Sequence, residues 1–160
     1  MSDPSRNNQN RLNNPVSAYN FKLEIDGIQI AGFSEITGLN AETEVEPLKE
    51  GGLNDSVHML VKGTKYGNIV MKKGILSSET LYAWYCDTIR GKIKRKNVSI
   101  HLYDSSYQNA NETAVRTWNF RNAFPIKWDG PVFNAASSAI AMESITMVHE
   151  GMFPLPKNDE

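Results

Sequence analysis

The stretch Glu46–Gly74, EPLKEGGLNDSVHMLVKGTKYGNIVMKKG, constrains the fold more than any other part of the chain. Glycines at 51, 52, 63, 67 and 74 break it at places where a side chain would restrict φ. Between them Val57, Met59 and Val61 alternate with His58, Leu60 and Lys62. That alternation predicts β-segments on a long arm, carrying more apolar surface than a free loop tolerates. A chain of 160 residues has little spare core to cover such an arm. Its apolar face is therefore expected on another subunit; the other arrangement is an ordinary hairpin folded over the chain's own barrel.

Net charge is −1, so no global field draws nucleic acid or an anionic membrane to the chain. With 40% hydrophobic and 22% charged residues, one domain with a normal core is expected over residues 15–152. The segment 1–14, rich in Asn, Ser, Asp and Arg, reads as a disordered polar arm, and 153–160 as a C-terminal tail. No run approaches the roughly 20 apolar residues that span a bilayer, and the polar N-terminus lacks a secretion signal. Synthesis and assembly are accordingly expected in the cytoplasm. Cys86 is the single cysteine, which excludes an internal disulfide.

The fold class expected is mainly β, a barrel or sandwich of antiparallel strands with one flanking helix and the extended arm. Tyr19, Phe21, Leu23 and Ile25 share one strand face, and Asp26-Gly27 follows as a type I′ turn, so Ile28–Ser34 should return antiparallel. In Ala41–Glu46 the residues Glu42, Glu44 and Glu46 line one face, where their repulsion demands water or cations. That face is either a channel lining or a plain solvated surface. Ser77 or Ser78 can cap a helix whose first turn carries Glu79, with a stripe of Leu81, Trp84, Tyr85, Thr88 and Ile89 expected against the sheet and a close at Arg90-Gly91. Cys86 is read as a small apolar residue of that helix. The cluster Lys92, Lys94, Arg95 and Lys96 follows the helix C-terminus, where cations are favoured, and is expected to be solvated or partner-facing. Strands are predicted over Val98–Tyr103 and Val115–Asn122, with a polar connection at 104–114 and a bend at Ala123-Phe124-Pro125. Ala139–His149 reads as a closing strand apolar on both faces, Ile140, Met142 and Val148 on one and Ala141, Ile145 and Met147 on the other.

No constellation for catalysis, metal or cofactor is evident. His58, His101 and His149 stand apart without metal-ligand spacing, and Gly51-Gly52 lacks the Lys-Ser/Thr of a phosphate loop. The expectation is a protein that is not an enzyme.

The order of several segments points further. A Tyr-x-Phe-x-Leu strand and hairpin, Ser34–Leu39 (SEITGL), Glu50-Gly51-Gly52, Tyr66–Gly74 (YGNIVMKKG), the Trp84 helix, Asn122–Pro125 (NAFP) and His149-Glu150-Gly151 together resemble the tail tube proteins of contractile phages and phage-like injection particles. The likeness covers about residues 16–152. It implies a subunit whose sheets join in hexameric rings, stacked into a tube inside a contractile sheath around a channel for cargo or DNA.

The implied partners are further copies of the chain, the sheath protein, and baseplate or spike proteins. On this resemblance Val57, Met59, Val61, Tyr66 and Ile69 become expected subunit or ring contacts, and Glu42, Glu44 and Glu46 expected lumen residues. A tube-initiating adaptor between spike and tube is a second role of the same kind. A monomeric β-barrel holding a small ligand is the reading of a different class, and it requires an apolar interior cavity.

Overall fold

The computed structural model describes residues 16–30, 32–48, 51–52, 57–75, 80–104 and 113–154. The segments 1–14 and 155–160, the Ser77/Ser78 cap with Glu79, and most of the 104–114 connection lie outside the described residues.

The fold is mainly antiparallel β, as expected. Strand β1 (Phe21–Ile25) turns at Asp26 (φ 49°) and Gly27 (φ 82°), both left-handed as a type I′ turn requires, into β2 (Ile28–Ile30). The return does not run on to Ser34. After Ile30 the chain leaves β1, and β3 (Phe33–Thr37) pairs instead with β6 (Ile69–Gly74). The sheet order is β2-β1-β7-β8-β9-β6-β3, with β7 at Lys96–Leu102, β8 at Arg116–Asp129 and β9 at Met142–Val148. Its first and last strands, β2 and β3, are consecutive in the chain and only two residues apart. A flat sheet cannot satisfy that connection, so the sheet curls until its ends approach, enclosing the core.

The long strand β8 makes the curl possible. Its first half pairs with β7 and its second half with β9. At the register shift near the end of the β7 pairing, between Phe120 and Ala123, sits Asn122 at φ 52°, a left-handed position that Asn tolerates better than most residues. The bend therefore falls at Asn122, just before the expected Ala123-Phe124-Pro125, and the strand continues through Pro125 with a register shift before Lys127. Beyond β9, the short β10 (Met152–Pro154) pairs along the same β8, so the expected tail boundary at 153 falls inside a strand.

Leu23, Ile25, Ile69, Met71, Val98, Ile100, Phe120, Ala123, Ile145 and Met147 fill the interior, joined by Leu81 and Trp84 of helix α1 (Thr80–Ile89). Trp84 also donates through Nε1 to the Lys94 carbonyl at 2.8 Å. The helix ends in a Schellman arrangement: Lys92 N–H bonds Asp87 O, Gly91 N–H bonds Thr88 O, and Gly91 stands at φ 78°. Ile89, assigned to the buried stripe, is exposed at the last position of the helix. The closing strand begins at Met142, not Ala139. Only its Ile145/Met147 face is buried; Met142 and Val148 are half-buried and Ile140 is exposed.

Candidate assembly surface

Strands β4 (Ala41–Leu48) and β5 (His58–Tyr66) form a separate two-stranded sheet, exposed along its whole length. This is the expected arm, but with a different partner arrangement. His58–Tyr66 pairs with the glutamate segment, whereas Ile69–Gly74 belongs to the main sheet. Of the glycines that punctuate the stretch, Gly63 and Gly74 lie within regular strands.

The arm prolongs the barrel edge. Thr37 opposes Val70 at the end of the β3–β6 pair, and Ala41 opposes Tyr66 at the start of β4–β5. The two pairs therefore share one register across the irregular residues 38–40 and 67–68. Gly38 (φ 89°) lies so close to the facing strand that a Cβ would stand 1.8 Å from the Asn68 carbonyl oxygen.

Along this common register the apolar side changes at the bend. In the barrel, Ile36 opposite Met71 faces inward, continuing through Ile69 to the core. Counting in twos, that parity reaches Glu42 opposite Lys65 and Glu44 opposite Gly63 in the arm. The other parity, which carries Glu35 opposite Lys72 in the barrel, reaches Thr43 opposite Thr64. A bulge at Lys62 then sets Val45 against Val61 and Pro47 against Met59. The arm thus presents one uncharged face of Thr43, Val45, Pro47, Met59, Val61, Thr64 and Tyr66. Its other face carries Glu42, Glu44, Glu46 and Lys65, with the exposed Leu48 and Leu60 beside His58 towards the tip.

On this charged face two of the three glutamates are paired with lysines across the strands. Lys62 pairs with Glu46 at 3.0 Å and Lys65 pairs with Glu44. The repulsion expected from Glu42, Glu44 and Glu46 is thereby reduced to a net charge of −1 over these five residues. On the uncharged face, Thr43 and Thr64 share a hydroxyl hydrogen bond of 3.1 Å.

Val57, Met59 and Val61 are exposed, Val61 to 72%. Tyr66 is 37% exposed, its ring tilted against His149. Ile69 is corrected: it is 0% exposed and packs in the subunit's own core, because it lies on the barrel side of the bend with the inward parity.

A further feature lies outside the sequence expectations. The β8–β9 connection leaves Val132 and Phe133 exposed to 92% and 84%, together with Ile140. No alternation marks a loop, so only its apolar content could have flagged it. The basic cluster is mostly solvent-exposed, as expected, and three of its members also make contacts within the subunit. Lys94 pairs with Asp87 at 2.7 Å, Arg95 with Glu150, and Lys96 lies over the Trp84 ring. His101 contacts Thr117 Oγ1 at 2.9 Å and Glu24 at 3.4 Å, so it is not isolated. Among the described residues no group of three His, Cys, Asp or Glu could hold a metal ion, and no helix is long and apolar enough to cross a membrane.

A chain in the cryo-EM structure of an extracellular contractile injection system, the PVC sheath-tube complex in the extended state, superposes with TM-score 0.79. It is 22% identical, over 96% of this chain and 98% of that one. A chain in the six-fold symmetrised anti-feeding prophage baseplate gives 0.74 at 24% identity, over 89% and 96%. A chain in the anti-feeding prophage tube-terminating cap gives 0.73 at 22%, over 88% and 91%. At these identities the likeness establishes the fold. No curated protein sequence matches significantly. The sequence profile of the T4-like virus tail tube protein gp19 family matches residues 17–153, nearly all of the described fold, and the chain belongs to that family of tail tube proteins.

Proposed function

We propose that the chain is the repeating subunit of the inner tube of a contractile tail or injection particle, building hexameric rings that stack around a channel. The observation that carries this reading is the exchange of apolar side at the Gly38/Gly67 bend. An arm that served its own barrel would keep its apolar parity inward. Here Val45, Pro47, Met59 and Val61 take the parity opposite to Ile36, Ile69 and Met71, so the arm offers a hydrophobic strip to a neighbouring copy. A strip on one side of a subunit that meets a different surface on the next copy generates rings or filaments rather than isolated pairs.

The free edges of β2 and β3 add unpaired backbone groups that ring closure would cover. The structures of similar fold come from sheath-tube, baseplate and cap assemblies, which supports sheath, baseplate and spike proteins as further partners. The charged face, Glu42, Glu44 and Glu46 with Lys62 and Lys65, is the candidate channel lining. Its near balance of charge lets either nucleic acid or a protein cargo pass without strong adhesion. Assembly in the cytoplasm and a structural rather than enzymatic role belong to the same reading. An adaptor ring at the tube's start uses the same surfaces.

The barrel-with-ligand reading requires an enclosed apolar cavity; the space beneath the helix, lined by Phe33, Met71, Leu81, Trp128 and Ile145, has no room for a water molecule, and the cleft of about 320 Å³ lined by Phe21, Ile36, Leu39, Ile100, Leu102 and Trp118 is open to solvent. Size-exclusion chromatography with light scattering and negative-stain microscopy of the purified chain tests the proposal. Six-fold rings or tubes are expected without any added cofactor. A sharply monomeric protein at high concentration, with an ordered arm, overturns it.

A further inference from the structure

We propose that His149 is a positioning residue that locks the arm to the barrel at the Gly67 bend, setting the angle at which the assembly strip is presented. The inference rests on the arm being the assembly surface. At the bend the hairpin's ladder is irregular, and Gly67 N–H donates to Asn40 O at a long 3.2 Å. His149, arriving from the end of β9, completes the hold on the same residue: its Nε2 lies 3.0 Å from the Gly67 carbonyl oxygen. A carbonyl only accepts, so Nε2 carries the proton and donates. The imidazole also stands edge-on to Phe120 at 4.9 Å, and Phe120 is 1% exposed. On its other side the ring lies 5.7 Å from Tyr66, the last residue of β5. One side chain thus joins the barrel core, the third strand from the edge and the base of the arm.

The second ring nitrogen shows why this is more than packing. Nδ1 is buried and meets no hydrogen-bond partner among the described residues. Burying an orphan acceptor is unfavourable, so a phenyl or isobutyl group would fill the site better if filling were its only task. The loss is offset by what Nε2 does for Gly67. The lever is long: eight residues of β4 rise roughly 26 Å, so a swing of about 10° at the base shifts the tip by about 4.5 Å, more than a packed contact absorbs.

The test uses the full chain with Cys86→Ala, His58→Cys near the arm tip and Lys127→Cys on the barrel, spin-labelled and held at a concentration where sedimentation shows monomer. The parent is expected to give a narrow label-to-label distance distribution. His149→Phe keeps the ring and loses the donor, and should broaden it at least two-fold with the circular dichroism unchanged. His149→Gln, whose amide N–H can reach the same carbonyl, should restore most of the narrowness. An unchanged width in His149→Phe overturns the proposal, as does a width left equally broad by His149→Gln. Should His149→Phe not fold, the unaltered protein decides by nitrogen NMR: the proton on Nε2 supports the lock, and the proton on Nδ1 overturns it. Because distances are read on monomers, this result is independent of whether the arm mediates assembly.

Discussion

Val45 stands directly across from Val61 in the arm, on the register parity opposite to that of Ile36 and Met71, which face each other in the barrel. One continuous hairpin therefore serves two masters, its inner half turned to the subunit's own core and its outer half turned away from it. The bulge at Lys62 lets both strands keep this assignment while that lysine reaches Glu46.

Gly38 is where the hairpin changes direction, and Gly38→Ala should damage it. The added Cβ would meet the Asn68 carbonyl at 1.8 Å, and the residue stands at φ 89°, a conformation that alone disfavours an L side chain by roughly 1–2 kcal/mol. A fall in melting temperature or soluble yield is expected. Gly63→Ala is the control, since nothing lies within 4 Å of its Cβ; a stability change within about 1 kcal/mol is expected there. Equal effects of the two substitutions in thermal melts would contradict this account of the bend.

Trp84 is 5% exposed in the core cluster, and its indole N–H holds the Lys94 carbonyl at the helix exit. Trp84→Ala should destabilise the subunit by ~3–5 kcal/mol through the cavity left behind. Trp84→Phe retains most of the packing and loses the bond, for about 1 kcal/mol. Urea unfolding followed by far-ultraviolet circular dichroism would separate the two. An unaltered midpoint in Trp84→Ala would show that the helix is not anchored through this side chain.

Acid sensitivity has a local source at the same helix. The hydrogen bond from Lys94 holds the Asp87 carboxyl below its ordinary value, against an opposing effect of desolvation, and the positive charge of Lys94 acts in the same direction as the bond. A folded-state pKa below the unfolded one means stability that is present above the unfolded value and lost as pH falls through the folded value. Asp87→Asn should therefore flatten the stability profile on the acid side of about pH 4. The effect is small because the pair is open to solvent. Melting temperatures of the two proteins across pH 2–7 should converge at the acid end; parallel curves would place the titration elsewhere.

Much of this was legible in the chain. The alternation of Phe21, Leu23 and Ile25 with a following Asp-Gly announced β1, its turn and β2 because every signal there is local. The helix stop at Gly91 was readable for the same reason. What escaped was long-range. The glutamates of β4 looked self-repelling until β5 supplied Lys62 and Lys65 from about twenty residues away. Ile69 looked like part of the arm because nothing local shows that a strand has crossed from one sheet to another. Phe33 likewise left β2's partner for the opposite edge of the sheet, a step that depends on the curl of the whole sheet.

Met59 and Ile69 make the decisive pair, since sequence alone grouped them as contact residues and the fold separates them. Met59 lies on the exposed strip opposite Pro47, so Met59→Asp should leave the isolated subunit within about 0.5 kcal/mol of its parent. Buried against a neighbour, the same carboxylate would sit desolvated without a partner, at several kcal/mol per contact, and a ring repeats the contact around its circumference. Soluble, folded monomer that forms neither rings nor tubes is the expected outcome. Ile69→Asp places its charge in the subunit's own core at a position with 0% exposure, so that chain should not fold at all. Sedimentation and circular dichroism on the two proteins distinguish assembly from folding. Met59→Asp chains that still build normal tubes would remove the arm from the contact surface, and a folded Ile69→Asp protein would contradict the change of parity at the bend.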